Sequence, residues 1–416
     1  MKQVAVIGSG IAGLAAAYLI SRKHRVWLFE RDGRLGGHTN TIRIDTPSGA
    51  VALDTGFLVH NDVTYPNLVR LFRELGVATQ ASDMSFSVAC PTTGIEYSSR
   101  GARGFFAQPR NMVRLDHFRL LRDIVRFNRE APAVLADGSA DAGTLDCYVR
   151  ERRYSQAFVE RYLVPMTAAI WSASAEVIRA FPIATLVKFM QNHGMLALGT
   201  QVTWRVVRGG SDSYIAPMIA PLDDRVQLGV AAVAVRRHEN GVVLTLADQR
   251  SLTFDEVVFA CHGDQVLPLL ADPTDHEREV FNVFKTTVND TVLHTDASVL
   301  PASPRARASW NYRLDAAAAQ PPSVTYDLNR LQGICGDTQY CVTLNSRLPI
   351  DAGKILRRFE YRHPQFDRAA IAAQSRWSSV SGINHTHYCG AYWRYGFHED
   401  GLLSAQRVAA DLGISW

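Results

Sequence analysis

Cysteine pairs, long apolar runs and lysine are all scarce in this 416-residue chain. The six cysteines (Cys90, Cys147, Cys261, Cys335, Cys341 and Cys389) include no CxxC pair, so they give no sign of a zinc ribbon or a thioredoxin-like dithiol. They read as reduced thiols, several of them in the core, and no metal site is expected. Apolar runs such as Ile11–Ile20 stop at about ten residues, whereas a membrane span needs roughly twenty. No signal-peptide apolar region precedes the first strand, which predicts a cytoplasmic protein. Charge of one sign is also lacking. A net charge of +4 is too mild for a dedicated nucleic-acid binder, so no nucleic-acid partner is expected. Lysine accounts for five of the 44 basic residues, a skew that reads as compositional bias rather than an anion-binding device. What is present is a globular composition, 47% hydrophobic and 20% charged, which excludes a disordered or collagen-like chain. Its length suggests two domains.

The chain begins strand, glycine turn, helix, strand: residues 3–7, then Gly8-Ser-Gly10-Ile-Ala-Gly13, then an Ala/Leu-rich segment to Ile20, then residues 25–29 ending at Glu30. That order within about thirty residues implies a parallel strand pair with a crossover helix. A helix is expected from Thr64, with Pro66 in its first turn and Gly76 as its stop. Residues 84–89 and 95–98 read as a hairpin, 112–130 as a basic amphipathic helix, and 158–190 as mostly helical with a break at Phe181-Pro182. A second hairpin pairs 226–236 with 242–246, followed by a strand at 256–260. Residues 288–294, 323–329 and 340–345 suggest a further sheet, and a strand near 386–390 leads to a helix from about 400 to 412. With neither repeats nor a low-complexity linker, the domains are expected to interleave.

Gly8, Gly10 and Gly13 fit G-x-G-x-x-G in the context that gives it meaning, after a strand and opening a helix. Gly8 permits the tight turn, Gly10 lets backbone approach a pyrophosphate, and Gly13 allows close packing of helix on strand. The helix start supplies free amides and a positive dipole end for the phosphates. Glu30 ends the second strand, where its carboxylate can accept hydrogen bonds from a ribose and disfavour a 2′-phosphate. These features alone leave NAD and FAD open.

The next segment, Glu30-Arg31-Asp-Gly-Arg-Leu-Gly36-Gly37-His38, resembles the acid followed by Gly-Gly-Arg found in flavoproteins of the amine oxidase and phytoene desaturase superfamily, with His38 where arginine is usual. Residues 232–237, 240–242 and 255–260 resemble that superfamily's adenine-side hairpin and returning strand. Residues 388–401, from Tyr388-Cys-Gly-Ala to Gly396-Phe397-His398-Glu399-Asp400-Gly401, resemble its closing flavin motif. In that motif an acid often stands two residues after Gly-Ala; here Trp393 does. The fragments Asp54-Thr-Gly56-Phe57-Leu58, Thr64-Tyr-Pro-Asn, Trp310-Asn-Tyr and Tyr326-Asp-Leu-Asn-Arg are similar to one subgroup of predicted FAD-dependent oxidoreductases associated with cyclopropane fatty acid synthases.

The resemblance implies FAD as cofactor and an α/β fold in which a Rossmann-like FAD-binding domain, a parallel sheet plus a β-hairpin, interleaves with an α+β substrate domain in the amine-oxidase manner. The expected FAD-binding stretches are 1–80, 205–285 and 370–416, and the substrate domain takes 81–204 and 286–369. It assigns cofactor contacts to Gly8, Gly10, Ile11, Ala12, Gly13, Glu30, Arg31, Gly36, Gly37, His38, Gly56, Phe57, Leu58, Ala232, Glu399, Asp400 and Gly401. Phe397, with Tyr392 nearby, is expected to face the substrate as an apolar wall. The implied activity is hydride transfer from an apolar, fatty-acyl or lipid C–H to flavin. The alternatives are a double-bond isomerase without net redox change, an amine oxidase, or a non-catalytic partner of a lipid-modifying enzyme. His60-Asn61 is a candidate flavin contact. His385 and His387 form either a metal pair or, as is commoner, a hydrogen-bonded pair. The arginine-rich helix 112–130 admits contact with an anionic membrane surface, although Asp116, Asp123 and Glu130 dilute its charge and favour a solvated helix covering the substrate domain. No catalytic acid or base is assigned.

Overall fold

The structure is a computed structural model that describes residues 1–47, 49–136, 143–196, 202–314 and 320–416. At its centre lies β1 (Gln3–Ile7), whose Val4, Ala5 and Val6 are wholly buried. An apolar strand covered on both faces is the signature of a parallel sheet between helices. Here β1 pairs in parallel with β2 (Arg25–Glu30) on one side and β4 (Glu256–Phe259) on the other. Outside these lie β3 (Val226–Leu228) and β5 (Thr386–Tyr388), giving the order β3-β2-β1-β4-β5. The sheet thus draws strands from three separate stretches of chain.

Four helices matter below: α1 (Ile11–Ile20), α2 (Pro66–Glu74), α3 (Leu115–Glu130) and α4 (His398–Asp411). α1 and α4 run side by side in the same direction. Gly401 lies against Ile11 at one end, and His24 Nε2 reaches the Leu412 carbonyl at 3.0 Å at the other. A Cβ on Gly401 would come within 2.8 Å of the Ile11 side chain, so the missing side chain sets the helix–helix distance.

The second layer is a seven-stranded sheet in the order 355–365, 285–294, 341–344, 323–327, 310–313, 86–90, 95–98. It is antiparallel except where Trp310–Arg313 runs parallel to Phe86–Cys90. Helices between residues 101 and 192 cover it, and Phe127, Phe158, Leu186, Val324 and Val342 share one apolar core.

Two expectations need correction. Residues 226–236 do not form one strand. At Gly229, with φ of +69°, the chain turns; β3 joins the parallel sheet, and Ala232–His238 pairs with Gly241–Leu246 instead. The closing helix begins at His398, two residues before the expected start. The long edge strand Ile355–Gln365 and the hairpin Thr41–Thr46/Gly49–Asp54 carry no expectation in the sequence reading. In the edge strand, Arg357, Arg358, Glu360 and Arg362 mask the alternation, and only Tyr361 is fully buried. Among the described residues no helix is long and apolar enough to cross a membrane.

Candidate active site

The carboxyl ends of β1, β2 and β4 and the N-termini of α1 and α4 open onto a single cavity of about 1430 Å³. Small-ligand sites commonly occupy roughly 300–1,000 Å³, so there is room for a dinucleotide and a second ligand together. Two positive helix ends facing one space favour an anion there.

The glycine turn divides its labour. Gly8, at φ +100°, donates its N–H to the Phe29 carbonyl at 2.8 Å and so ties the turn to β2. A Cβ on Gly13 would lie 1.8 Å from the Gly8 carbonyl oxygen, so Gly13 permits the helix to sit on the strand. At Gly10 no atom lies within 4 Å of where a Cβ would project, and that volume is cavity. Gly37, at φ +57°, closes over Gly10, with its own Cβ position 3.1 Å from the Gly10 Cα. Gly36 holds the second turn in place, its N–H donating to the Ser9 carbonyl at 3.0 Å.

Glu30 accepts from the Ser9 N–H (2.9 Å), the Ser9 hydroxyl (2.6 Å) and the Asp32 N–H (2.9 Å). These bonds fix the carboxylate at the cavity wall. Ile11, Ala12, Arg31, His38, Gly56, Phe57, Leu58 and Ala232 also line it, as do Phe397 and Tyr392.

His38 is surrounded by other rings. It stacks on Tyr361 at 5.0 Å, with His363 at 5.0 Å and His262 at 6.1 Å. Burial first, then the neighbouring imidazoles, hold His38 neutral far below the ordinary histidine value; burial likewise takes His363 down to about 4. The Nε2 of His38 is buried without a partner, a polar atom waiting for a ligand at the wall of the glycine cradle.

Other expected contacts lie elsewhere. Glu399 faces away from the cavity. Its carboxylate accepts from the Asn67 N–H (3.1 Å) and Leu68 N–H (2.9 Å), capping α2, whose own first turn has no acid. Asp400 accepts from the Tyr395 and Phe397 N–H groups at 3.2 and 3.0 Å, and burial raises it to about 7. It shapes the turn that presents Phe397 rather than lining the space. Gly13, Gly36 and Gly401 act through backbone packing, as described above. Asn61 caps the turn at Thr64, and His60 sits behind Phe57 at 6.4 Å ring to ring. His385 and His387 approach Glu256 at 3.7 and 3.3 Å, at the amino-terminal end of β4 and away from the cavity. Trp393 packs on Phe281 and Phe284.

Beyond Phe397 the wall changes character. Phe397 stacks on Phe189 at 5.3 Å, and Trp171 meets Phe189 at 4.7 Å. Met166, Ile170, Tyr326 and Phe366 continue the surface. His193 is set among them, stacked on Phe189 at 3.9 Å. Its Nδ1 lies 2.8 Å from the Phe189 carbonyl, which can only accept, so Nδ1 carries the proton and Nε2 is bare. Burial lowers His193 to about 4 and keeps the ring neutral. His193, Phe189, Trp171, His262 and His363 stand at no motif spacing, and only the fold brings them to one wall.

Residues 11–317 match the model of flavin-containing amine oxidoreductases, well over half of the chain. The chain belongs to that family. Its cofactor is FAD. Among curated relatives, protoporphyrinogen oxidase 2 of Arabidopsis thaliana is 55% identical over 42 residues, 10% of this chain and 8% of that protein. Flavin-containing amine oxidase A of Equus caballus is 31% identical over 134 residues, 32% of this chain. The matches span 24% or less of these relatives' lengths. Over nearly their whole length, solved structures share the fold. Putrescine oxidase bound to putrescine is 15% identical at a TM-score of 0.68, covering 99% of this chain and 98% of that one. A fatty acid isomerase from P. acnes that produces CLA is 14% identical at 0.68, covering 99% of each chain.

The residues present fit FAD. The open volume at Gly10, the unpartnered His38 Nε2, the Glu30 carboxylate and the two helix N-termini match a pyrophosphate and its ribose.

Proposed function

We propose that this member of the family oxidises an apolar, fatty-acyl-type substrate at a C–H bond. The observation that carries the reading is the wall beyond Phe397: aromatic and aliphatic side chains, with His193 held neutral among them. A buried methylene gains about 0.8 kcal/mol, so a hydrocarbon chain gains affinity along such a wall. Asp83, one of the acids that line the cavity, is already engaged, accepting from the Ser85 N–H (2.7 Å) and the Ser309 hydroxyl (2.9 Å).

Bound FAD supplies the hydride acceptor. Gly8–Gly13, Glu30 and His38 would hold it, while Phe397, Phe189 and Trp171 would keep water from the reacting carbon. His193 Nε2 accepts the proton from the carbon next to the hydride donor. Loss of hydride and proton together leaves a carbon–carbon double bond. The resemblance to the subgroup associated with cyclopropane fatty acid synthases supports the same substrate class.

Amine oxidation is the second reading. It is favoured by the family and by fold neighbours that include putrescine oxidase and a cyclohexylamine oxidase from Brevibacterium oxydans. Anaerobic mixing with acyl lipids and with primary amines separates the two by which of them bleaches the flavin.

A further inference from the structure

Six of the twelve large apolar side chains that stand exposed among the described residues fall within residues 112–125: Met112, Val113, Leu115, Phe118, Leu121 and Val125. Val113 and Leu115 are 81% and 73% exposed. The opposite face of α3, with Leu120 and Phe127, already packs into the core. The exposed stripe therefore has no place in the chain's own interior, and a patch of this kind marks an interaction surface.

The charge around it is lopsided. Residues 100–130 hold eight arginines against three acids, a net +5 in a chain whose total is +4. Of the three acids, Asp123 is turned inward. Its side chain is fully buried; one oxygen accepts from the Ser155 N–H at 2.8 Å and the other pairs with Arg122 at 2.9 Å. Asp116 and Glu130 alone share the outer surface, pairing with Arg119 and Arg126 at 3.2 and 3.1 Å. The Arg119–Asp116 pair is exposed, and pairs of that sort are weak and exchange readily for another anion.

The stripe adjoins the cavity. Ser99 and Arg100 line its wall, and Arg100 immediately precedes the short helix Gly101–Phe105. Phe105 lies 4.2 Å from His117 and Phe106 5.7 Å from Phe118, which joins that segment to α3.

We propose that residues 112–125 dock the protein onto the surface of a bilayer containing anionic lipid, with Val113, Leu115 and Phe118 entering the acyl boundary and the arginines meeting lipid phosphates. Charge complementarity selects this occupant. A two-fold pairing of copies through the same face would set the +5 segment against itself, whereas an anionic leaflet is attracted by it. Docked in this way, the protein presents the Ser99–Arg100 rim to the membrane, and an apolar substrate passes from lipid to cavity without crossing water. That last step rests on the acyl reading; the docking does not.

The test is co-sedimentation of the FAD-loaded protein with phosphatidylcholine vesicles, with and without phosphatidylglycerol. Binding should rise about tenfold or more with the anionic lipid and fall as salt is added. The double variant V113S/L115S, altered at two exposed positions, should keep its flavin and lose that binding, and R119E, at an exposed arginine, should weaken it. Equal binding to neutral and anionic vesicles, or full binding by V113S/L115S, would overturn the proposal. So would a wild-type dimer in sedimentation equilibrium that V113S/L115S converts to monomer. Vesicle binding with no bleaching by any lipid counts against the acyl reading alone. Bleaching by detergent-dispersed lipid without vesicle binding counts against the docking alone.

Discussion

On the β1–α1 side of the cavity the ligand would be met by backbone: glycine turns, amides at helix ends, and the Glu30 carboxylate fixed by Ser9 and Asp32. On the far side it would be met by side chains from distant elements, with Phe189, His193 and Trp171 from the helical layer, Tyr326 and Phe366 from the seven-stranded sheet's neighbourhood, and Phe397 from the last turn. The first half is specified within about forty residues of chain, and the second by tertiary packing. Backbone recognition tolerates little change but reads any dinucleotide of the right shape. Side-chain recognition can be remade position by position, and that is where one member of a fold family acquires its own substrate.

The largest effects are expected from two glycine variants in the same turn. Gly13→Val would drive a Cβ into the Gly8 carbonyl, and the chain should fail to fold, a loss of more than about 4 kcal/mol. Gly10→Val meets open space, so the apo protein should fold at near wild-type stability yet purify without colour. Circular dichroism and the absorbance of bound flavin read both. A coloured Gly10→Val protein would place the cofactor elsewhere.

The next effect lies in the far half. His193→Gln should retain FAD while slowing anaerobic flavin reduction by about 10²–10⁴-fold, the usual cost of losing a positioned proton acceptor. Rapid-mixing absorbance checks the rate, and an unchanged rate would leave His193 a packing residue.

The smallest effect concerns pH and spans both halves. His60, His193 and His363 are lowered to about 4 by burial. Unfolded, each binds a proton below about pH 6.5, and folded it does not until about 4, so the unfolded chain takes up more protons between those values and stability falls as pH drops. Asp400 and Asp54, raised to about 7 and about 6, act in the opposite direction, binding protons in the folded state that the unfolded carboxyls have lost. The histidines outnumber them. Urea unfolding of the apo protein should show a net loss on the order of 2–4 kcal/mol from pH 6.5 to pH 5. A flat profile across that window would mean that the imidazoles are hydrated in solution.

What could be read in advance follows the same division. Gly8, Gly10 and Gly13 after a strand, Glu30 at the end of the next, and the Gly36-Gly37 pair are local, and all lie where a turn or a close approach demands them. Glu399 and Asp400 could be recognised as belonging to the closing motif, but not that one caps α2 and the other its own helix start, because those bonds depend on how α2 and α4 meet. Tyr361 and His363 sit in a strand so rich in arginine that its alternation vanishes, and His262 follows β4 without a motif of its own. The wall beyond Phe397 had no sequence signal beyond Phe397 itself.

The substrate proposed for the far half is a hydrocarbon chain. That assignment is tested most directly by mixing the FAD-loaded protein anaerobically with a panel of acyl lipids and a panel of primary amines while following the flavin absorbance. Bleaching is expected with an acyl lipid and not with simple amines, and Phe397→Asp should lose the lipid response with flavin still bound, because a carboxylate in place of the ring breaks the apolar wall. Rapid bleaching by a primary amine with none from any lipid would contradict it.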